Sequence, residues 1–262
     1  IGHCHCFSPV CAVLFPVGFS AFSSIMSMLY ILFLVLYIML NLNKVGRPLA
    51  RIDGGTYNGM IVSVSDQFAS NADDEYQNGV IKEFRQLKIA NDSKFQHIPD
   101  TTKEREILYI TGPSGSGKST YTRKYLEQYV KKFKGRPIYL FSSLPSDESL
   151  DKIKPKRIKL DESLHTDPIK VQEFNESVCI FDDIDVISDK KIREAVYNIL
   201  NQILEIGRHF KIHCIVTNRL PSNGKDTRRI LSEAHTVTYF PHSAGGQIQY
   251  LLESVGGISR LT

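Results

Sequence analysis

An α/β fold with a mostly parallel sheet is predicted for this chain by three observations. From Ile107 onward, short apolar runs alternate with stretches whose apolar residues recur at helical spacing. One of those junctions carries a glycine-rich turn, Thr111 to Thr120, reading TGPSGSGKST. A second apolar run, Val178 to Phe181, ends on two carboxylates, Asp182 and Asp183.

Each element follows from local pattern. Residues 1–43 contain no Lys, Arg, Asp or Glu, and Ile25 to Leu40 is almost wholly apolar. Extended back through Phe19, this stretch is long enough to cross a bilayer as a helix. A removable signal peptide fits less well, since no basic segment precedes it and no small-residue cleavage site follows. Lys44, Arg47 and Arg51 come next, so by the positive-inside rule the rest of the chain faces the cytoplasm. A buried or partner-facing helix, or a leader foreign to the working protein, are the competing readings. If that leader is not retained, the chain would be soluble.

Residues 44–106 read as a connector or accessory region. Met60 to Val64 suggests a strand, Asn71 to Asn78 a polar loop, and Val80, Ile81, Phe84, Leu87 and Lys88 a short amphipathic helix. Residues 107–262 form the main domain. Ile107 to Ile110 is a strand short enough to be buried, and Tyr121, Tyr125, Leu126, Tyr129, Val130 and Phe133 mark a helix. Further strands are expected at Pro137 to Phe141, Arg157 to Leu160, Val178 to Phe181, Ile212 to Thr217 and Thr236 to Phe240, with a long helix over Ile192 to Ile206. Gly245-Gly246 reads as a turn before a last helix.

Composition narrows the function. In 262 residues, hydrophobic content is 42% and charged content 23%, so an ordinary core is within reach. A net charge of +4 permits an anionic partner without requiring one. Of the five cysteines, Cys4, Cys6 and Cys11 crowd the N-terminus, while Cys179 and Cys214 sit in strand-like runs. This is not a disulfide framework, and His3-Cys4-His5-Cys6 matches no common zinc spacing.

The glycine-rich turn satisfies G-x-x-x-x-G-K-[ST] through Gly112, Gly117, Lys118 and Ser119. Joining a strand to a helix N-terminus, it places free N–H groups and a helix dipole where an anion binds. Gly112, Pro113, Ser114, Gly115, Ser116, Gly117, Lys118, Ser119 and Thr120 are therefore the candidate ATP-binding residues. Lys118 is placed to reach the β- and γ-phosphates, and Ser119 to hold Mg²⁺. Asp182 is the second candidate for the Mg²⁺ shell, and Asp183 the candidate base, with Asp185 in reserve. Asn218, at the end of the strand from Ile212, is the candidate sensor of the γ-phosphate or attacking water. Arg208, after the long helix, is the candidate arginine finger acting on a neighbouring subunit, ahead of Arg219, Arg228 and Arg229.

A strand between the loop helix and the acidic strand resembles the additional-strand class of P-loop ATPases, of RecA, AAA+, FtsK and HerA type. Within that class, GPSGSGKST (112–120), LFSSLP (140–145), IFDDID (180–185), LEIGRH (204–209) and IVTNRLPSNGKDTRRIL (215–231) together resemble the poxvirus-type genome-packaging ATPases of large double-stranded DNA viruses. The resemblance spans Ile107 to Ser259. It implies a RecA-like core, a homo-oligomeric ring, and ATP-driven movement of double-stranded DNA into a capsid. The N-terminal apolar segment, which suggests a membrane partner, departs from that family. The basic runs Lys131 to Arg136 and Lys152 to Lys159 suit contacts to DNA phosphates, and equally a solvated helix end and edge strand. Two other functions compete: a membrane-tethered nucleotide switch with negligible turnover, and a nucleotide kinase, for which no acceptor motif stands out.

Overall fold

A computed structural model describes residues 15–16, 38–42, 46–66, 76–77, 80–81, 93–222 and 224–240. The described residues of 19–100 form one compact unit, and those of 10–18 and 101–262 another.

The smaller unit is an antiparallel sheet of β1 (Ile38–Asn41), β2 (Arg47–Asp53), β3 (Ile61–Asp66) and β4 (Lys94–His97), in the order β1-β3-β2-β4. The register of β2 against β3 shifts between Pro48 and Ala50, where proline cannot donate to a ladder. Ala50 and Ile52 are buried, while Arg51 and Asp53 pair on the other face at 2.8 Å. β3 lies where Met60 to Val64 predicts a strand.

Two expectations change here. Ile38 to Leu40, the end of the apolar run, lie in β1 and not in a helix; their backbone pairs with Asp66 to Val64 of β3. The rest of the expected span falls outside the described residues, and among the described residues no helix is long and apolar enough to cross a membrane. Val80–Ile81, expected to open a short helix, pair antiparallel with Tyr76–Gln77, inside the expected loop. Residues 82–92, the N-terminal cysteines and the Gly245-Gly246 turn also lie outside the described residues.

The larger unit is α/β. It contains β5 (Ile107–Thr111), α1 (Lys118–Lys132), β6 (Ile138–Ser142), β7 (Lys156–Arg157), β8 (Val178–Asp182), α2 (Lys190–Ile206), β9 (His213–Asn218), α3 (Gly224–Glu233) and β10 (Thr236–Tyr239). The sheet order is β10-β5-β9-β8-β6-β7, parallel throughout, with Phe15–Pro16 antiparallel on the outer side of β10. The predicted strands and the long helix are all present within a few residues. A parallel sheet needs cover on both faces, and alternation along the strands supplies it. Leu108 and Ile110 join Tyr121, Tyr125, Leu126 and Tyr129 of α1 on one face. Ile107 and Tyr109 join Val196, Ile199, Leu200 and Ile203 of α2, with Ile230 and Leu231 of α3, on the other. Cys179 and Cys214 are free, fully buried thiols.

β9 therefore lies in space between β5, which leads into the glycine-rich loop, and β8, which carries the acidic pair. Parallel register lines up the strand ends: Asn218 stands opposite Thr111, and Asp182 opposite both Thr217 and Ser142. One edge of the sheet thus gathers residues from four strands. Asp182 and Thr111 are separated by two strand spacings, about 10 Å.

Candidate functional site

The site begins where β5 ends. Gly112 leaves the strand with its N–H donating to Asn218 O at 3.2 Å. A Cβ at Gly112 would lie 2.7 Å from Phe240 Cβ and 3.0 Å from Ser116 Oγ, so the loop can pass beside β10 only as glycine. Gly117 takes φ 97 and caps α1, whose first turn carries no acidic residue. That leaves the positive end of the helix uncompensated by the chain itself. Lys118 is 7% exposed, and its Nζ donates to Gly112 O at 2.9 Å and Pro113 O at 3.3 Å. Ser119 is half-buried in the same turn, and Thr120 Oγ1 bonds Ser149 Oγ at 3.2 Å.

Asp182 is 4% exposed. Its Oδ1 accepts from Thr217 Oγ1 at 2.8 Å and its Oδ2 from Ser142 Oγ at 3.2 Å. Burial pushes its carboxyl above the usual range; the hydroxyl bonds oppose that. Asp183 takes φ 44, a left-handed conformation that a residue with a side chain holds only under constraint. Its N–H donates to Thr217 O and Oγ1 at 3.1 and 3.2 Å. Its carboxylate lies 3.9 Å from Lys118 Nζ and accepts from Arg219 Nε at 3.1 Å. Asp185, in the single turn Ile184–Val186, also has its carboxyl pushed up, by burial and then by Asp183.

Asn218 is 2% exposed, and its Nδ2 donates to Tyr109 Oη at 3.3 Å. Tyr109 in turn donates to Leu220 O at 3.0 Å, which ties the turn after β9 to β5. Burial raises the Tyr109 phenol to about 12, so it stays a donor. Five buried oxygens at this edge have no hydrogen-bond partner among the described residues: Thr111 Oγ1, Ser116 Oγ, Asp183 Oδ1, Asp185 Oδ1 and Asn218 Oδ1. Buried polar atoms are seldom left so, and their clustering at the loop marks a surface shaped for a polar ligand. The hydroxyl of Ser119 and the carboxylate of Asp182 are hard oxygen donors of the kind Mg²⁺ takes, so the residues present fit that ion.

The structure brings Gly112 to Thr120, Asp182, Asp183 and Asn218 to one edge, as the sequence pattern predicts. Arg208 is not there. It is exposed in the turn after α2, at the opposite edge of the sheet, where β9 begins. Arg219 stands at the site instead, against Asp183. Ser142 and Thr217, which hold Asp182, were not predicted. Their signal is a hydroxyl residue closing an apolar strand, informative only once strand order is known.

Residues 90–232 match the model of the nSTAND3 family, Novel STAND NTPase 3. Protein V3 of Sputnik virophage is 38% identical over 223 residues, covering 84% of this chain and 85% of that protein. Among solved structures, the genome packaging NTPase B204 of Sulfolobus turreted icosahedral virus 2, in complex with sulfate, is 16% identical with a TM-score of 0.42, over 59% of this chain and 83% of that one. The pCW3 conjugation coupling protein TcpA, in its monomer form with ATPgS, is 14% identical with a TM-score of 0.43, over 88% and 73%. The family match covers more than half of the chain, including the loop, the acidic pair and Asn218, and the chain belongs to the Novel STAND NTPase 3 family.

Proposed function

We propose that the chain is an ATP-hydrolysing motor that works as a homo-oligomeric ring and moves double-stranded DNA into a viral capsid. The observation that carries this reading is the shared edge on which Lys118, Asp182, Asp183 and Asn218 converge around unpartnered buried oxygens. Lys118, now bonded to its own loop carbonyls, exchanges these for the β- and γ-phosphate oxygens of ATP. Ser119 and Asp182 would hold Mg²⁺, with Asp182 fixed in place by Thr217 and Ser142. When bound, the ion would supply positive charge to offset that of the phosphate oxygens. Asp183 orients the attacking water and accepts its proton. Asn218 senses the attacking water, from which its Oδ1 accepts, while its Nδ2 donates to Tyr109 Oη. Arg208 faces away from its own site, as a finger supplied to a neighbouring subunit would.

DNA as the partner rests on the motif resemblance together with exposed lysines. Part of each basic run has an internal use. Arg136 stacks over Phe133 and pairs with Glu176 at 3.7 Å, Arg157 pairs with Asp151 at 2.7 Å, and Lys159 pairs with Asp161 at 2.7 Å. Lys152 and Lys154 are exposed beside the edge strand β7 and suit sequence-independent phosphate contacts.

The test is Mg²⁺-dependent ATP hydrolysis by the full chain with and without double-stranded DNA, beside Lys118→Ala. Turnover stimulated by DNA and reduced about a hundredfold or more in the variant is the expected result. Hydrolysis indifferent to DNA removes the translocation part. Nucleotide binding without hydrolysis would make the chain a switch, and phosphate transfer to an added nucleoside would make it a kinase.

A further inference from the structure

The turn that presents Arg208 is built to one geometry, and a distant residue holds it. Arg105 lies just before β5 and is 9% exposed. Its Nη2 donates to Ile203 O at 2.6 Å and Leu204 O at 3.2 Å. Both carbonyls belong to the last turn of α2, where negative charge of the helix dipole accumulates. That turn has no basic residue of its own. Arg105 therefore supplies, from the segment just before β5, the cation that the helix end lacks.

Ile203 O also accepts the Gly207 N–H at 3.0 Å. A Cβ on Gly207 would stand 2.3 Å from that oxygen, so only glycine allows the chain to close on a carbonyl already gripped by Arg105. Beyond Gly207 the backbone is bonded closely: His209 N to Ile206 O at 3.0 Å, Lys211 N to Arg208 O at 3.1 Å, and Ile212 N to Gly207 O at 3.0 Å. Arg208 projects from this turn, exposed, and makes no ion pair among the described residues. The far end of β5 carries the phosphate loop. One strand thus bears the nucleotide loop at its carboxyl end and anchors the Arg208 turn at its amino end.

We propose that Arg105 is a positioning residue for Arg208: it fixes the end of α2 so that the Gly207-Arg208 turn is presented to the adjacent subunit's site. This rests on the reading of Arg208 as a finger acting in trans.

The experiment uses full-length protein with ATP turnover as readout. Arg208→Ala is expected to lower kcat about a thousandfold. Mixing it with Lys118→Ala protein, whose own site is dead and whose Arg208 is intact, is expected to restore turnover. Arg105→Met is expected to lower kcat about tenfold at unchanged KM for ATP, and the same mixing with Lys118→Ala is expected to restore it. A role confined to the stability of its own subunit gives no such rescue. Arg105→Lys, which keeps a cation, serves if Arg105→Met does not fold, and is expected to show a smaller loss with the same rescue. If Arg208→Ala keeps wild-type turnover, or its mixture with Lys118→Ala stays inactive, the finger reading fails and the inference with it. If that mixture recovers while the Arg105 variants either keep full activity or cannot be rescued, the inference alone is overturned.

Discussion

The two edges of the large parallel sheet are made from the same strands and put their polar groups to different uses. At the carboxyl edge, Asp183 sits in a left-handed conformation, two carboxylates are adjacent, and Thr111, Ser116, Asp183, Asp185 and Asn218 each keep an unpartnered buried oxygen. At the amino edge, Arg105 is bonded to the end of α2, Tyr125 Oη donates to Glu106 Oε2 at 2.8 Å, and two histidine rings accept backbone N–H groups. Left-handed residues and unpartnered buried atoms occur at the amino edge too (Glu176 and Lys211; Arg105 Nε and His213 Nε2), so what sets the first edge apart is that its open groups are oxygens gathered around the glycine-rich loop. The second uses its polar groups to fasten strands to helices. If the proposed function holds, substitutions at the first edge should act on chemistry and those at the second on stability.

The largest contrast is expected at Asp182. Asp182→Asn keeps an acceptor for Thr217 and a polar contact to Ser142, but removes a charge that burial disfavours. Hydrolysis should fall about a hundredfold or more, while the melting temperature stays equal or rises, as at other sites where function opposes stability. The raised folded pKa has a consistent sign. The ionised form is disfavoured in the fold, so the stability present with the acid protonated is lost as pH rises through that pKa. A variant that both unfolds and loses activity would put Asp182 among the structural residues and erase the contrast.

The amino edge should instead fail in acid. His213 is fully buried, with Nδ1 accepting the Glu106 N–H at 3.3 Å, and burial depresses its pKa from 6.5 to about 4. His235 accepts the Ile107 N–H at 2.9 Å, and burial likewise depresses it to about 4. Between pH 6.5 and 4 the unfolded chain binds protons that the folded one refuses, so stability falls as pH falls through this window. His213 alone corresponds to about 3 kcal/mol over the full range. Denaturant titrations at pH 7 and pH 5 measure this. His213→Gln, which retains an acceptor, should flatten the dependence, and an unchanged slope would show that other groups govern it.

Bulk, in contrast to charge, should be costly even at the carboxyl edge. Gly112→Ala places a methyl group 2.7 Å from Phe240 Cβ, an overpacking expected to cost about 1–3 kcal/mol. Thermal melting should show that loss together with weaker nucleotide binding. A neutral result would mean that β10 can move away from β5.

What the sequence made legible was contiguous. Gly112 to Ser119 and Val178 to Asp183 carry loop, helix start and acidic strand in single short windows, and periodicity located the strands and the long helix around them. What it left hidden depends on pairing between distant segments. Ser142 and Thr217 reach Asp182 only because β6 and β9 flank β8 in register. Arg219 is one of several arginines in its segment until the end of β9 is placed beside Asp183. Arg105 meets carbonyls nearly a hundred residues away. In the smaller unit, β2 contains a proline and a register shift, and β4 buries Gln96 and His97, with His97 Nδ1 2.9 Å from Leu49 O. Neither strand offers the clean alternation that marks a strand in sequence.

The smallest expected effect tests whether the amino edge is fastened by individual bonds or by packing. Tyr125 and Glu106 are both buried, and the phenol donates to the carboxylate at 2.8 Å. Tyr125→Phe keeps the ring in the α1 face of the core and removes only that donor. Glu106 has further partners, so its charge is not stranded, and the cost should be about 1 kcal/mol. Tyr121→Phe on the same helix is the comparison, because Tyr121 Oη accepts a longer bond from the neutral Thr238 hydroxyl at 3.3 Å. The first variant should lose more stability than the second, and both should keep full ATP turnover. Equal losses would mean that the ring packing of α1, and not the Glu106 bond, secures this edge. Lost turnover in Tyr125→Phe would mean that the two edges are coupled more tightly than their separate chemistry implies.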